Sequence, residues 1–158
     1  MRPSERLAAM NLELPDVAAP VGSYIPAVRS GNQVFTSGQL PIRDGQLACT
    51  GKVPSDTSLE SAAGGASTAM LNALAAAAWA AGGIDCITRV VKVSVFVNSA
   101  PGFTEQAKVA NEASDLLVKI FGDAGRHVRA AVGVSELPLN AAVEVDLLAD
   151  VTSEASQR

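Results

Sequence analysis

Downstream of residue 57 the apolar residues change period three times, and the order of those changes limits the folds open to the chain. Residues 57–83, TSLESAAGGASTAMLNALAAAAWAAGG, bring Leu59, Ala63, Ala66, Met70, Ala73, Leu74, Ala77 and Ala81 round at helical spacing. Residues 90–98, VVKVSVFVN, alternate instead, which sets Val91, Val93, Val95 and Val97 on one face of a strand spanning Ile87–Asn98. Phe103 to Phe121 returns to helical spacing and stops at Gly122, and Arg126–Ser135 and Ala142–Val151 alternate again. This order predicts an α+β domain, one mixed sheet packed by two helices on one face. The other sheet face then meets water or a partner subunit.

The first third of the chain is more broken. Pro3–Met10 reads as a short helix capped by Ser4. Residues 12–22, LELPDVAAPVG, read as an extended connector, because Pro15 and Pro20 oppose helix. Ile25–Arg29 and Val34–Ser37 form a predicted hairpin around Ser30-Gly31-Asn32, with a weaker strand at Gln46–Cys49. Thr57-Ser58-Leu59-Glu60 fits a capping box for the long helix, and Gly82 fits its left-handed end. Gly64-Gly65 costs that helix about 1 kcal/mol per glycine, which is read as tight packing. Trp79 and the helix alanines are assigned to the core. The boundaries expected are an N-terminal extension with a short helix (1–20), a single domain (21–151) and a flexible tail (152–158).

Composition narrows the partners. Only 18% of the 158 residues are charged, low for a chain that covers its own surface, which points to subunit interfaces. The net charge is −4 and no Lys/Arg cluster is present, which argues against a nucleic-acid partner. Cys49 and Cys86 form no C-x-x-C, so neither a disulfide framework nor zinc is indicated. The N-terminus lacks the apolar core of a secretory signal, and residues 73–81 fall short of the ~20 needed for a membrane span. A cytoplasmic protein without metal or cofactor is the expectation.

Charged residues sit inside the last two strands. Val128, Ala130, Val132 and Val134 share one face of the first, with His127, Arg129, Ala131 and Gly133 on the other. In the second, Val143, Val145, Leu147 and Ala149 oppose Glu144, Asp146 and Asp150. If both valine faces meet the helices, Arg129, Glu144 and Asp146 share the far face. A hairpin through SELPLN would bring Arg129 near Glu144 or Asp146, at the simplest as a solvated salt bridge. His127 is the only histidine, and G-x-S-x-G, G-x-G-x-x-G and the P-loop are all missing. Catalysis, if present, falls to arginine, carboxylates, hydroxyls, backbone groups and water.

The motifs also occur in a familiar order. Gly22-Ser23-Tyr24, Val34-Phe35-Thr36-Ser37-Gly38-Gln39-Leu40-Pro41, Val91–Val97, the H-V-R-A-A-V around Arg129, Leu137-Pro138 and Val143-Glu144-Val145 together resemble the Rid family. Its members are reactive intermediate deaminases, also called YjgF-like or endoribonuclease L-PSP proteins. The resemblance covers roughly Gly22 to Val151. It implies a chorismate-mutase-like subunit, a homotrimer, and ligand clefts between subunits. The implied reaction is hydrolysis of enamines and 2-imino acids, such as 2-aminoacrylate, to 2-keto acids and ammonia. Arg129 maps to the arginine that binds the substrate carboxylate through charge-assisted hydrogen bonds. Glu144 maps to the glutamate that places water and can serve as base. Tyr24, Ser37 and Gly38 map to cleft-lining positions, and Asn111 to a cleft asparagine.

The chain departs from that pattern in two places: Ala131 stands where the family's well-characterised deaminases have a cysteine, and Ser114 where an aromatic is common. Three functions stay open at this level. They are an imine hydrolase, a non-catalytic trimer that binds small carboxylates, and an RNA endonuclease, the last disfavoured by the acidic balance.

Overall fold

The computed structural model describes residues 1–17 and 22–153. The connector at 18–21 and the tail at 154–158, and with them the expected boundary at 20/21, lie outside the described residues. Ten elements follow in order: α1 (Pro3–Ala9), β1 (Ala27–Ser30), β2 (Gln33–Thr36), β3 (Ile42–Arg43), β4 (Gln46–Leu47), α2 (Leu59–Ala81), β5 (Ile87–Asn98), α3 (Gln106–Phe121), β6 (Val128–Val134) and β7 (Val143–Val151). The main sheet runs β1-β2-β7-β5-β6, and β3 and β4 make a separate two-stranded ribbon. All main-sheet pairs are antiparallel except β5 with β6. The mixed sheet with two covering helices agrees with the predicted α+β class.

The β5–α3–β6 segment explains the parallel pair. Two parallel neighbours need a long crossover, and α3 supplies it. That topology overturns the expected β6–β7 hairpin. β5 lies between the two strands, with Val93 level with Arg129 on one side and Leu147 on the other.

Valine and alanine fill the layer between sheet and helices. Val93, Val95 and Val97 of β5 and Val143, Val145, Leu147 and Ala149 of β7 are buried against Met70, Ala73, Leu74 and Ala77 of α2 and Leu117 and Ile120 of α3. Small residues let α2 approach closely: a β-carbon on Gly65 would overlap the Cys49 sulfur, which supports the tight-packing reading of that glycine. Val91 departs from expectation. Its strand is irregular against β7 between Val90 and Lys92, so Val90 is buried in its place. Trp79 departs too, at 57% exposed. It falls on the outer face of α2 with Ser61, Gly64, Thr68 and Asn72, none of which is buried.

The caps shift by small amounts. Ser58, not Thr57, caps α2, accepting from the Ser61 N–H at 3.0 Å, and Gly82 closes it at φ 93°. Arg2, not Ser4, precedes α1, and Ser4 donates to the Asp85 carboxylate through its N–H (2.9 Å) and hydroxyl (2.6 Å). α3 begins at Gln106 rather than Phe103, after a turn through Gly102 at φ 83°. Both cysteines are free. Among the described residues no helix is long and apolar enough to cross a membrane.

Candidate functional site

Arg129 points to the helix side of the sheet, not away from it. Its Nη1 donates to Asn111 Oδ1 and to Ser114 Oγ, each at 3.0 Å, and both acceptors belong to α3. The expected face assignment in β6 is therefore inverted. Val128 and Val132 lie on the open face, 65% and 45% exposed, while Arg129 lies level with buried Val93. Either face of β6 is apolar enough to pack, since Ala131 and Gly133 flank Arg129 on its own side. As an edge strand, β6 is also covered on the helix side by α3 alone among the long helices, and a guanidinium can reach between the two.

The cluster continues past Ser114. His127 Nε2 lies 2.9 Å from Ser114 Oγ, and His127 Nδ1 lies 2.7 Å from the Gly125 carbonyl oxygen. Among the described residues no carboxylate forms an ion pair with Arg129. Among the described residues its Nε and Nη2 have no hydrogen-bond partner, so the guanidinium stands oriented by neutral acceptors with donors to spare.

Glu144 and Asp146 occupy the open face, as expected from β7. Glu144 is partly buried, and burial raises its carboxyl above the usual carboxylate range, with the neighbouring Asp146 charge adding to the shift. The Glu144 side chain lies directly against Gly38, where a β-carbon would overlap its carboxylate. Gly38 thus makes room for Glu144. Ser37 is committed to the backbone: its hydroxyl donates to the Ile25 carbonyl at 2.6 Å, and its N–H to the Pro26 carbonyl at 2.8 Å. Tyr24 is 55% exposed and lines one broad concavity with Gly38, Leu40 and Leu139. Asn72 anchors this region, its amide donating to the Leu40 and Ile42 carbonyls at 3.0 and 2.9 Å.

The six residues singled out by sequence thus fall into two groups. Arg129 and Asn111 meet on the helix side, joined by Ser114 and His127, whose pairing sequence reasoning missed. A signal for it existed. Residues 111 and 114 share a helix face by their spacing of three, residues 127 and 129 share a strand face by their spacing of two, and the two faces meet. Glu144, Gly38, Ser37 and Tyr24 form the second group.

Comparison with known proteins follows the fold. Residues 4–151 match the family described as "YjgF/chorismate mutase-like, putative endoribonuclease". Protein TCP17 of Trypanosoma cruzi is 42% identical over 153 residues, covering 96% of each chain. The crystal structure of Atu1372 from Agrobacterium tumefaciens, a protein of unknown function, is similar at a TM-score of 0.87 and 40% identity, over 95% of this chain and 92% of that one. The Escherichia coli YjgF gene product is similar at a TM-score of 0.62 and 26% identity, over 85% and 93%.

Proposed function

The chain belongs to the YjgF/chorismate mutase-like family, and from that premise we propose that it hydrolyses 2-imino acids and their enamine tautomers to 2-keto acids and ammonia. The observation that carries this reading is the state of Arg129. An arginine held by Asn111 and Ser114 that, among the described residues, has no ion pair and two nitrogens unpartnered suits a small carboxylate. A 2-imino acid presents that carboxylate one bond from the carbon that water must attack. Glu144 places the water, and a carboxyl that burial raises above the usual range keeps its proton to higher pH than a free one.

Within one chain Arg129 and Glu144 cannot serve one substrate molecule. Their strands are two spacings apart, about 10 Å, and their side chains leave opposite faces. The proposed cleft therefore joins two copies, Arg129 from one and Glu144 from the other, in a homotrimer. The open face supports assembly: Val28, Phe35, Val128 and Val132 are 43–65% exposed there.

The same separation favours a second reading, a carboxylate-binding protein without turnover. One assay divides the two. Imino acids are generated with an amino-acid oxidase, and the survivors are trapped with semicarbazide. The deaminase reading expects faster loss with wild type and none above background with Arg129→Ala. Thermal stabilisation by pyruvate without faster loss would establish the binding protein instead.

A further inference from the structure

We infer that Ser114 and His127 form a proton relay into the Arg129 site, giving each chain its own proton acceptor beside its own carboxylate anchor. The inference rests on the imine-hydrolysis reading for its chemistry and on hydrogen-bond geometry for its existence.

The direction of the chain follows from its far end. A carbonyl oxygen can only accept, so at 2.7 Å from Gly125 O the His127 Nδ1 carries a proton. In the neutral ring Nε2 is then bare and accepts, and the Ser114 hydroxyl donates to it across 2.9 Å. Arg129 Nη1 donates to the same oxygen from 3.0 Å. Ser114 Oγ thus sits between a cation that stabilises negative charge on it and a base that takes its proton. This is the arrangement that activates a serine oxygen, with a backbone carbonyl orienting the histidine. Ser114, His127 and Arg129 are each partly accessible, so a water beside Arg129 can reach the hydroxyl. Glu144, on the far face of the same sheet, cannot reach that water within one chain.

The steps balance. Water oxygen bonds to the carbon of the protonated imine, and the C=N π pair moves to nitrogen. The water's proton passes to Ser114 Oγ as the Ser114 proton passes to His127 Nε2. The relay then returns one proton to the amine nitrogen, the C–N bond breaks, and the hydroxyl proton leaves with the nitrogen as the carbonyl forms. Net, iminium and water give keto acid and ammonium.

Because His127 is the only histidine, its ring signals are unambiguous in a long-range 1H–15N spectrum. The expected spectrum is the Nδ1–H tautomer, with Nε2 shifted in Ser114→Ala and on adding pyruvate to wild type. An Nε2–H tautomer, or an Nε2 signal indifferent to Ser114→Ala, overturns the relay whether or not imino acids are turned over. In the semicarbazide assay Ser114→Ala and His127→Gln should each lower kcat about 100-fold, the low end for general acid–base groups, with pyruvate affinity changed less than about threefold. Asn111→Ala, which removes an Arg129 contact but no relay atom, should act chiefly on KM. Unchanged kcat in both relay variants overturns the inference while leaving the deaminase reading standing. Absent turnover in wild type overturns the deaminase reading, and the spectrum still decides the relay.

Discussion

Arg129 and Glu144, separated by fifteen residues (144 − 129) in the sequence, leave opposite faces of one sheet with β5 between their strands. A site that needs both must draw them from different copies, and that arrangement can be tested by complementation. Arg129→Ala and Glu144→Gln subunits should each be inactive as pure oligomers. Mixed by co-refolding at equal ratio, roughly one interface in four carries both native residues, so about a quarter of wild-type activity should return. A mixture that stays inactive would mean that the two residues do not act on one substrate.

Glu144 also makes stability depend on pH in a definite direction. Its folded carboxyl titrates above the ordinary glutamate value of 4.5, chiefly through burial and then through Asp146. Between the unfolded and folded values the folded state binds more protons. The contribution is therefore fully present below about pH 4.5 and is lost as pH rises through the folded value. Glu144→Gln removes the ionisation, so its Tm should exceed wild type at pH 7–8 and converge with it near pH 4. Thermal melts across that range check the sign. A variant less stable than wild type at pH 8 would mean that the carboxylate has a stabilising partner.

Much of the fold was legible because its signals are local. The alternation in β5 and β7 identified the buried valines except at the irregularity where Val90 replaces Val91, and Gly82 marked the end of α2. What could not be read locally was pairing. Residues 126–151 look like a hairpin because a short connector joins two alternating strands, yet α3 obliges β6 to lie parallel to β5. The face of Arg129 failed for a related reason, since valines line one side of β6 and alanine and glycine flank the arginine on the other, so period alone does not choose. Trp79 failed because the size of an indole says core, while its place in the helical period sets it on the outer face of α2.

Two glycines should respond differently to a single added methyl group. At Gly38 the obstacle is the end of the Glu144 side chain, which can swing aside. Gly38→Ala should cost under about 1 kcal/mol in denaturant melts, yet lower turnover by displacing the carboxylate. At Gly125 the obstacle is backbone, with the Leu117 carbonyl overlapping the new atom and the Val118 Cα 3.0 Å away. Gly125→Ala should cost about 2–3 kcal/mol. Similar losses at both positions would mean that the Glu144 side chain is held as firmly as backbone.

The open sheet face should govern assembly. Val132 is 45% exposed, and its β5 neighbour Phe96 is partly buried on the same face. In an isolated subunit Val132→Lys adds a solvated charge and changes stability by at most about 0.5 kcal/mol. Buried between copies, the same charge loses its hydration and should dissociate the oligomer. Light scattering after size exclusion is expected to show a trimer for wild type and a monomer for Val132→Lys. The composite cleft makes a second demand: imine turnover must fall with the trimer, even though Arg129, Ser114 and His127 stay intact in each chain. A trimeric Val132→Lys protein would move the interface off this face, and a monomer that keeps full turnover would place the whole reaction within one chain.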